Sequence, residues 1–396
     1  MRFRKTEPKP LSERLRPRTG RVSGPEQLVF AVAGEVIRKA DRLHPADAAL
    51  RDGLTARGGL AQAIKVEVSR AVFTYYRWHG WLANERTVER RIRRALELSE
   101  RFRQNPFSLP ADALRAKTVP GWVAGEVDVS DAWLRSLQWE PKLWLRAKRG
   151  QGRVLAGKLG AARKLSLPDA LVYEGDKDLF RTPEFHGGEF ELQDISSQAV
   201  GWLCDPRPGE TWWDVCAGEG GKTLHLSDLM ENKGLIWATD RVAWRLKRLQ
   251  QRAARAKVFN YRTALWDGGT KLPTKTRFDG VLVDAPCSGI GTWQRNPHAR
   301  WTTTLSDVKE LSSVQKELLA RAALLVKSGG KLIYAVCTLT RAETVEVVAA
   351  FEEQFPEFKP LLLTSPFARG QTSAQLWLWP QDIGGNGMFV AAWRRK

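Results

Sequence analysis

The sequence predicts an α/β protein built on a mainly parallel, doubly wound sheet, and three observations support this prediction. From about Phe190 onward, short apolar runs alternate with helical runs, an order typical of a parallel sheet covered by helices on both faces. Residues 26–103 show the three- and four-residue spacing of amphipathic helices. Residues 106–187 mix short helices with strand-like runs. We therefore expect a helical domain and a small α+β module to precede the sheet domain.

Composition and prolines divide the chain into four predicted parts. The first is basic, rich in proline and poor in large apolar residues, a composition typical of a disordered arm that can contact phosphates. Pro106 and Pro110 mark the end of the helical region. The predicted parts are the disordered arm (1–24), the helical domain (25–105), the α+β module (106–187) and the sheet domain (188–396).

Three amphipathic segments make up the predicted helical domain: "EQLVFAVAGEVIRKA", "LAQAIKVEVSRAVFTYYRWHGWLANE" and "RTVERRIRRALELSERFR". The last segment carries a group of arginines that form either a solvated helix face or a patch facing RNA, and the sequence leaves both open. The group consists of Arg86, Arg90, Arg91, Arg93 and Arg94. In the α+β module, "KLWLRAK" alternates apolar and basic residues as a half-buried strand does. "SLPDALVYEG" and "DLFRTPEFHGGEFELQD" indicate short strands with turns.

The sheet domain shows strands and helices in alternation. "TWWDVCAGEGG" is typical of a strand that ends in a glycine loop, with "KTLHLSDLMEN" as the following helix. "GLIWATD" and "RVAWRLKRLQQRAARA" repeat that order. "FDGVLVDAP" and "KLIYAVC" are further apolar strands, separated by the helical "LSDVKELSSVQKELLARAALLVKSGG". "GNGMFVAAWRRK" indicates a hairpin turn and a last strand. Ligands of such a sheet bind beyond the carboxyl ends of the strands.

Charge and composition narrow the class of protein. The formal net charge of +19 indicates a polyanionic partner, nucleic acid first, although a basic surface can also serve solubility alone. No apolar run approaches the ~20 residues of a membrane helix, and no signal-peptide pattern is present. Four widely spaced cysteines make neither a disulfide scaffold nor a metal site. We expect a soluble, cytoplasmic, monomeric protein with reduced thiols, no membrane contact and no metal.

The glycine loop "DVCAGEGGKT" excludes two common nucleotide motifs. A Walker A loop requires a glycine where this chain has Cys216, and the dinucleotide pattern that starts at Gly218 ends on Thr223. What remains is a glycine-rich turn after the first strand and an acid, Asp240, at the end of the second. Such a turn admits a ligand to the backbone, and such an acid accepts hydrogen bonds from ribose hydroxyls. This combination favours S-adenosylmethionine as cofactor; the alternative is a structural turn with a helix-capping aspartate.

Two cysteines stand at the ends of apparent strands. Asp284 ends one strand, Cys287 follows in the turn, and Cys337 ends the next strand. Adjacent strand ends would bring an acid and two thiols to the mouth of a cofactor crevice, whereas a buried inert thiol is the ordinary alternative. A thiolate that adds to carbon 6 of cytosine makes carbon 5 nucleophilic, and an acid at the N3 edge and a base for the carbon 5 proton complete the chemistry.

At this point the motifs resemble the RNA cytosine-5 methyltransferases of the Fmu/Sun and NSUN family, over residues 188–396. "GEFELQDISSQ" resembles the family's first motif and "DVCAGEGGKTLHL" its cofactor loop. "DAPCSGIGTWQRNPHARW" and "QKELLARAALLVKSGGKLIYAVCTL" resemble its two cysteine motifs. The helical N-terminus is also similar to the NusB-like domain of some bacterial members. The resemblance implies a Rossmann-like class I methyltransferase domain preceded by the α+β module and a NusB-like domain that binds RNA.

The resemblance also implies roles for individual residues. Cys337 would be the nucleophile, Cys287 would help to release the methylated product, and Asp284 would contact the target base near the cofactor. Asp240 would bind the ribose of the cofactor, and Asp267 in "ALWDGG" its adenine edge. The loop that holds the methionine part of the cofactor would consist of Cys216, Ala217, Gly218, Glu219, Gly220, Gly221 and Lys222.

Three positions depart from the family pattern. Glu219 stands where the family usually has proline, Thr338 where serine is commoner and Thr344 where asparagine is usual. Both cysteines and the motif aspartates persist, so we expect activity. The predicted function is S-adenosylmethionine-dependent formation of 5-methylcytosine in RNA, with rRNA as the first substrate class and tRNA as the second. The alternative of another class is a non-catalytic RNA-binding or ribosome-assembly factor that kept the fold.

Overall fold

The computed structural model describes residues 24–164, 166–368 and 370–396. The arm predicted for residues 1–24 therefore lies, except for its last residue, outside the described residues. The chain folds into two compact units. The first comprises the residues up to Pro120 together with Leu137–Trp139 and Asn296–Thr302, and the second comprises Gly121–Ser136, Glu140–Arg295 and Thr303–Lys396.

The helices and strands follow one another along the chain with short connections. The α-helices are α1 (Gly24–Lys39), α2 (Ala46–Thr55), α3 (Gln62–Arg77), α4 (Val88–Gln104), α5 (Ala111–Lys117), α6 (Asp131–Ser136), α7 (Gly152–Leu159), α8 (Pro183–His186), α9 (Ile195–Cys204), α10 (Gly221–Leu229), α11 (Ala243–Ala256), α12 (Ala299–Thr302), α13 (Leu305–Ala323), α14 (Val345–Gln354) and α15 (Pro380–Ile383). Short 3₁₀ helices cover His79–Trp81, Pro106–Ser108, Gly121–Gly125, Leu179–Arg181 and Ile290–Thr292.

The strands form three sheets. The strands are β1 (Leu143–Ala147), β2 (Ala162–Arg163), β3 (Ala170–Tyr173), β4 (Phe190–Leu192), β5 (Thr211–Asp214), β6 (Leu235–Asp240), β7 (Tyr261–Leu265), β8 (Phe278–Asp284), β9 (Val326–Val336), β10 (Phe358–Pro360), β11 (Leu363–Thr364), β12 (Thr372–Ser373), β13 (Gln375–Leu378) and β14 (Met388–Arg395). β11 and β12 form a two-stranded ladder of their own. No helix among the described residues is long and apolar enough to cross a membrane.

The first unit is helical, as its apolar spacing predicts. In α4, the buried side chains recur at three- and four-residue steps and include Ile92, Leu98 and Phe102, so one face of the helix packs into the unit. The Thr87 side chain accepts a hydrogen bond from the Arg90 amide and caps this helix. Arg86 of the predicted arginine group precedes α4, and the other four members lie on it. Two of these pair with nearby acids: Arg93 with Glu26 and Arg94 with Glu97.

A short segment that is distant in sequence completes the first unit. The chain leaves the second unit after Arg295 and returns to it at Thr303. Within this segment, the fully buried Arg300 donates hydrogen bonds to three backbone carbonyls, those of Arg77, Thr118 and Leu137. Since a buried guanidinium needs several acceptors to offset its desolvation, these carbonyls fix the segment in the helical unit.

The second unit contains a small sheet with strand order β2-β3-β1-β4, in which all neighbours are antiparallel. Its first strand, β1, confirms the strand predicted from "KLWLRAK", and β3 lies within "SLPDALVYEG". Of the short strands with turns predicted in "DLFRTPEFHGGEFELQD", the structure has one strand, β4, in the second half and none in the first half. A 3₁₀ helix and α8 stand there, because Asp178 and Thr182 cap the two turns with their side chains.

The large sheet of the second unit has the order β10-β14-β9-β8-β5-β6-β7, with β13 paired to β14. The five strands from β9 to β7 are parallel neighbours, and β14 adds to them in antiparallel orientation. The runs at residues 281–283 of β8 and 332–336 of β9 are apolar and buried because helices cover both faces, and the predicted mainly parallel sheet is confirmed. The predicted helix before β9 ends earlier than expected: residues 326–330 belong to β9, which pairs with β8 from Val326. The four-part division of the chain stays a prediction.

Candidate active site

The parallel strands β8 and β9 bring the predicted acid and both thiols to one edge of the sheet. β8 ends at Asp284, whose register partner on β9 is Ala335, two residues before Cys337. Cys287 lies three residues beyond the end of β8, and its Sγ is 3.3 Å from Cys337 Sγ. The expected meeting of the two strand ends is thus what the structure shows.

The two sulfur atoms differ in their electrostatic surroundings. Cys287 Sγ and Cys337 Sγ are within hydrogen-bonding distance, and the geometry allows either to donate. A hydrogen bond from Cys287 is the largest effect that lowers the pKa of Cys337, and the Lys222 ammonium and the Arg295 guanidinium lower it further against the opposing effects of burial and Asp284. We therefore assign Cys287 as the donor. The same hydrogen bond, together with burial, raises the pKa of Cys287 well above its ordinary value. Cys337 is therefore the sulfur that is favoured as thiolate, and Cys287 is the proton donor.

Asp284 forms an ion pair with the lysine of the glycine loop. Lys222 Nζ donates to Asp284 Oδ2 at 2.6 Å, and the exposed fractions of the two side chains are 9% and 28%. Burial alone would lower the pKa of Lys222, but the Asp284 carboxylate raises it above its ordinary value. The pair is thus charged on both sides, and the Asp284 carboxylate is a hydrogen-bond acceptor at the mouth of the site.

The glycine loop from Cys216 to Lys222 connects β5 to α10 and is tied to the end of β6. Gly218 donates its amide to Asp240 Oδ2 at 3.0 Å. Gly220 has a φ of +85°, and a Cβ there would lie 2.6 Å from Leu249 Cγ, so only glycine fits. Within this loop the Glu219 side chain is exposed, which places the departure from the family's proline on the solvent side.

The predicted cofactor acids lie at the ends of the next two strands. Asp240 ends β6 and accepts hydrogen bonds from the amides of Gly218 and Val242. Asp267 lies in an exposed turn after β7, where its carboxylate accepts from the Gly269 amide, and the preceding Trp266 donates its amide to the Asp240 carbonyl. The carboxylates of Asp240 and Asp267 fit the ribose and adenine parts of S-adenosylmethionine. The backbone of the glycine loop, at the neighbouring strand end, fits its methionine part.

Asp214, at the end of β5, is a buried carboxyl that the sequence analysis did not single out. The Thr223 hydroxyl donates to Asp214 Oδ2 at 2.6 Å, whereas Asp214 Oδ1 has no hydrogen-bond partner among the described residues. Burial raises the pKa of Asp214 to about 7. The ionised form of Asp214 therefore destabilises the folded protein at neutral pH.

This raised pKa predicts a pH dependence of stability. The folded chain holds the Asp214 proton more tightly than the unfolded chain, so the contribution of Asp214 to stability falls as pH rises from about 4 to about 7. We expect Asp214→Asn to gain stability relative to the unmodified protein by a few kcal/mol between these limits. Urea unfolding at both pH values measures this gain. If the stabilities of the two proteins change equally with pH, the prediction is contradicted. The matched control is the exposed Asp176→Asn variant, which is expected to have the stability of the unmodified protein at both pH values.

The sequence analysis also missed a buried carboxylate beneath the cysteines. Glu343 is fully buried and accepts hydrogen bonds from the turn after each cysteine. The only signal in the sequence is a run of hydroxyl residues before it in "CTLTRAE", and nothing local indicates its partner Ser288. Among the described residues, no group of three or more His, Cys, Asp or Glu side chains is arranged to hold a metal ion.

Comparison with known proteins gives one family. Residues 201–394 match the family model described as 16S rRNA methyltransferase RsmB/F. A Synechocystis protein called probable ribosomal RNA small subunit methyltransferase B is 38% identical over 61% of this chain and 52% of its own length. Ribosomal RNA small subunit methyltransferase B of Sodalis glossinidius is 30% identical over 74% of this chain and 67% of its own length. The Mus musculus protein called tRNA (cytosine(72)-C(5))-methyltransferase NSUN6 is 36% identical over 50% and 41%, respectively.

The chain spans about half the length of the first two curated relatives, 52% and 49%. Among solved structures, a methyltransferase homologue protein from Pyrococcus horikoshii superimposes with a TM-score of 0.56 at 26% identity, over 67% of this chain and 90% of that chain. This similarity, together with the sheet order, confirms the Rossmann-like class I methyltransferase fold that the sequence predicts.

Proposed function

Since the chain belongs to the RsmB/F family of methyltransferases, we propose that it transfers a methyl group from S-adenosylmethionine to carbon 5 of a cytosine in RNA. The observation that carries this proposal is the 3.3 Å separation of Cys287 Sγ and Cys337 Sγ beside the Lys222–Asp284 ion pair. A methyltransferase acting on an amino group needs no thiol, whereas carbon 5 of cytosine needs a nucleophile at carbon 6 and a base at carbon 5.

The first step uses the thiolate that the site favours. Cys337 Sγ forms a bond to carbon 6. The electron pair of the 5,6 double bond is delocalised over the ring, which becomes an enamine that is nucleophilic at carbon 5. Asp284 accepts a hydrogen bond from the exocyclic amine of the cytosine and so orients the ring. Lys222 orients the Asp284 carboxylate for this role, because the two groups are in direct contact.

The second step ends the covalent stage. S-adenosylmethionine, when bound by the loop Cys216–Lys222 with Asp240 and Asp267, supplies an electrophilic methyl group. Carbon 5 would take that methyl group with the enamine electron pair, the methyl–sulfur bond would break, and S-adenosylhomocysteine would leave with the electron pair of that bond. Cys287, as thiolate, then removes the proton from carbon 5, the double bond re-forms, and Cys337 leaves with the electron pair of the carbon–sulfur bond. Once Cys337 Sγ is bonded to carbon 6, the hydrogen bond that raises the pKa of Cys287 in the resting site is lost, and Cys287 gives its proton to solvent water before this step.

The substrate class we propose is rRNA, with tRNA as the alternative. Relatives are named ribosomal RNA small subunit methyltransferase B, and one similar protein is named a tRNA methyltransferase. The net charge of +19 supports a polyanionic substrate without separating the two. A cytosine must leave any base-paired helix to reach the sulfurs. We further propose that the protein acts as a cytoplasmic monomer.

The test is methyl transfer from labelled S-adenosylmethionine to rRNA and tRNA in separate reactions, with nucleoside analysis of the product. Label in 5-methylcytosine of one pool is the expected result and identifies the substrate class. The matched control is Cys337→Ala, which is expected to bind the cofactor but to transfer nothing. Absence of label in both pools, with absence of cofactor binding, would support the RNA-binding scaffold instead and would point to Glu219.

A further inference from the structure

A single buried carboxylate connects the turns that carry the two cysteines. Glu343 is 0% exposed and lies six residues after Cys337 on the connection from β9 to α14. Its Oε1 accepts hydrogen bonds from the Ser288 amide at 2.8 Å and from Gln315 Nε2 at 3.0 Å. Its Oε2 accepts from three hydroxyl groups. These belong to Ser288, Thr338 and Thr340.

The partners of Glu343 are the residues that directly follow each cysteine. Ser288 follows Cys287, and Thr338 follows Cys337. The Ser288 and Thr338 hydroxyl oxygens are themselves 2.9 Å apart. One carboxylate therefore fixes the distance between two backbone turns that are 50 residues apart in sequence. The residues that it binds stand one position after the two cysteines.

The network extends to the backbone on both sides of the site. Gln315 Nε2 also donates to the Pro286 carbonyl at 2.9 Å, immediately before Cys287. The buried Tyr334 hydroxyl shares its one hydrogen between the Glu343 carbonyl at 2.7 Å and Gln315 Oε1 at 3.0 Å. Since the Gln315, Thr338 and Thr340 side chains are buried, loss of the carboxylate that accepts from them leaves several donors unsatisfied at once.

We propose that Glu343 is a positioning residue that holds the Cys287 and Cys337 turns at the separation at which the Cys287 thiol donates to Cys337 Sγ. This inference rests on the proposed function, because it assigns the separation a purpose in methyl transfer. A displacement of about 1 Å at reacting groups can cost about 10²-fold in rate, so the effect belongs to kcat rather than to RNA binding.

Charge and position predict opposite shifts when Glu343 is replaced. A carboxylate near a thiol disfavours the thiolate, so removal of its charge alone lowers the pKa of Cys337. Loss of the Cys287 hydrogen bond raises the pKa of Cys337, because that bond is the largest effect lowering it. The direction of the shift in a Glu343 variant therefore separates positioning from simple electrostatics.

The experiment measures the pH midpoint of Cys337 alkylation by iodoacetamide in the full chain, with peptide mass spectrometry to resolve the four cysteines, alongside kcat and KM for RNA. For Glu343→Ala we expect a higher midpoint, a kcat lower by about 10²-fold and an unchanged KM. Glu343→Gln is the matched control: its carbonyl can accept from the two N–H donors and its amide can donate to two of the three hydroxyls. We expect this variant to keep kcat within a few-fold, with a midpoint equal to or below that of the unmodified protein.

A second variant keeps the test decisive if Glu343→Ala does not fold. Ser288→Ala combined with Thr338→Val leaves the carboxylate in place and removes the hydroxyl of each turn, and we expect the same upward shift of the Cys337 midpoint. A midpoint that stays level or falls in the folded Ala or double variant overturns the proposal. Failure of the unmodified protein to methylate any RNA would overturn the proposed function alone, because the alkylation midpoints are read without RNA.

Discussion

Replacement of Cys287 by alanine is expected to leave the protein covalently attached to its RNA. Cys337 can still add to carbon 6 and carbon 5 can still take the methyl group, but the sulfur that would remove the carbon 5 proton is gone. Loss of a positioned general base slows such a step by about 10²- to 10⁴-fold, so the adduct accumulates. The measurement is a denaturing gel of protein incubated with S-adenosylmethionine and end-labelled RNA from the pool that the unmodified protein methylates.

Two other cysteine variants act as controls for this result. Cys337→Ala is expected to give neither an adduct nor 5-methylcytosine, because no nucleophile remains for carbon 6. Cys204→Ala removes a thiol that is fully buried in the core and belongs to neither site turn, and it is expected to turn over without an adduct. An adduct with Cys337→Ala and none with Cys287→Ala would reverse the two roles.

The location of this site was predictable because the apolar runs of the strands end where polar residues begin. Asp284 is the last residue of β8, Cys337 directly follows β9, and parallel strands end at the same edge of a sheet. Asp240 was predictable for the same reason on β6. The sequence also indicated the amphipathic helices of the first unit through their spacing.

What stayed hidden depends on contacts between distant parts of the chain. The bond between Glu343 and Ser288 joins residues 55 apart, and no local pattern encodes it. Nothing in the sequence around Arg300 indicates that its charge is buried. The carbonyls that accept from it belong to the helical unit and are far away in sequence. The early start of β9 was missed because "LLVKSGG" continues an apolar helical pattern until pairing with β8 decides its conformation.

Asp284→Asn is expected to destabilise the fold as well as to abolish methyl transfer. The substitution keeps the shape of the side chain but leaves the buried Lys222 ammonium without its counter-charge. Removal of one partner of a buried pair costs about 3–5 kcal/mol, and the partial exposure of Asp284 places this case near the lower limit. Chemical unfolding measures the loss. Asp279→Asn on the same strand is the control: its partner Lys327 is 43% exposed, and the expected loss is below about 1 kcal/mol.

The pH dependence of that loss identifies Lys222 as its source. In the unmodified protein Asp284 raises the pKa of Lys222 above 10.5, so this stabilisation is complete below that pH and is lost only above it. In Asp284→Asn, burial lowers the pKa of Lys222, because the largest effect that opposes burial has been removed. The folded state then binds the proton less tightly than the unfolded state, and stability rises with pH. We expect the deficit of Asp284→Asn to shrink from about pH 7 to about pH 10.

The double variant Lys222→Met/Asp284→Asn separates this cause from any other effect of the asparagine. With no ammonium left to bury, its deficit is expected to be smaller than that of Asp284→Asn alone and to be independent of pH over the same range. A deficit of Asp284→Asn that stays constant with pH, or a double variant that is less stable than the single one, would show that the pair does not stabilise the fold through the charge of Lys222. The methyl-transfer defect would then belong to Asp284 as a hydrogen-bond acceptor for the base, separately from its ion pair.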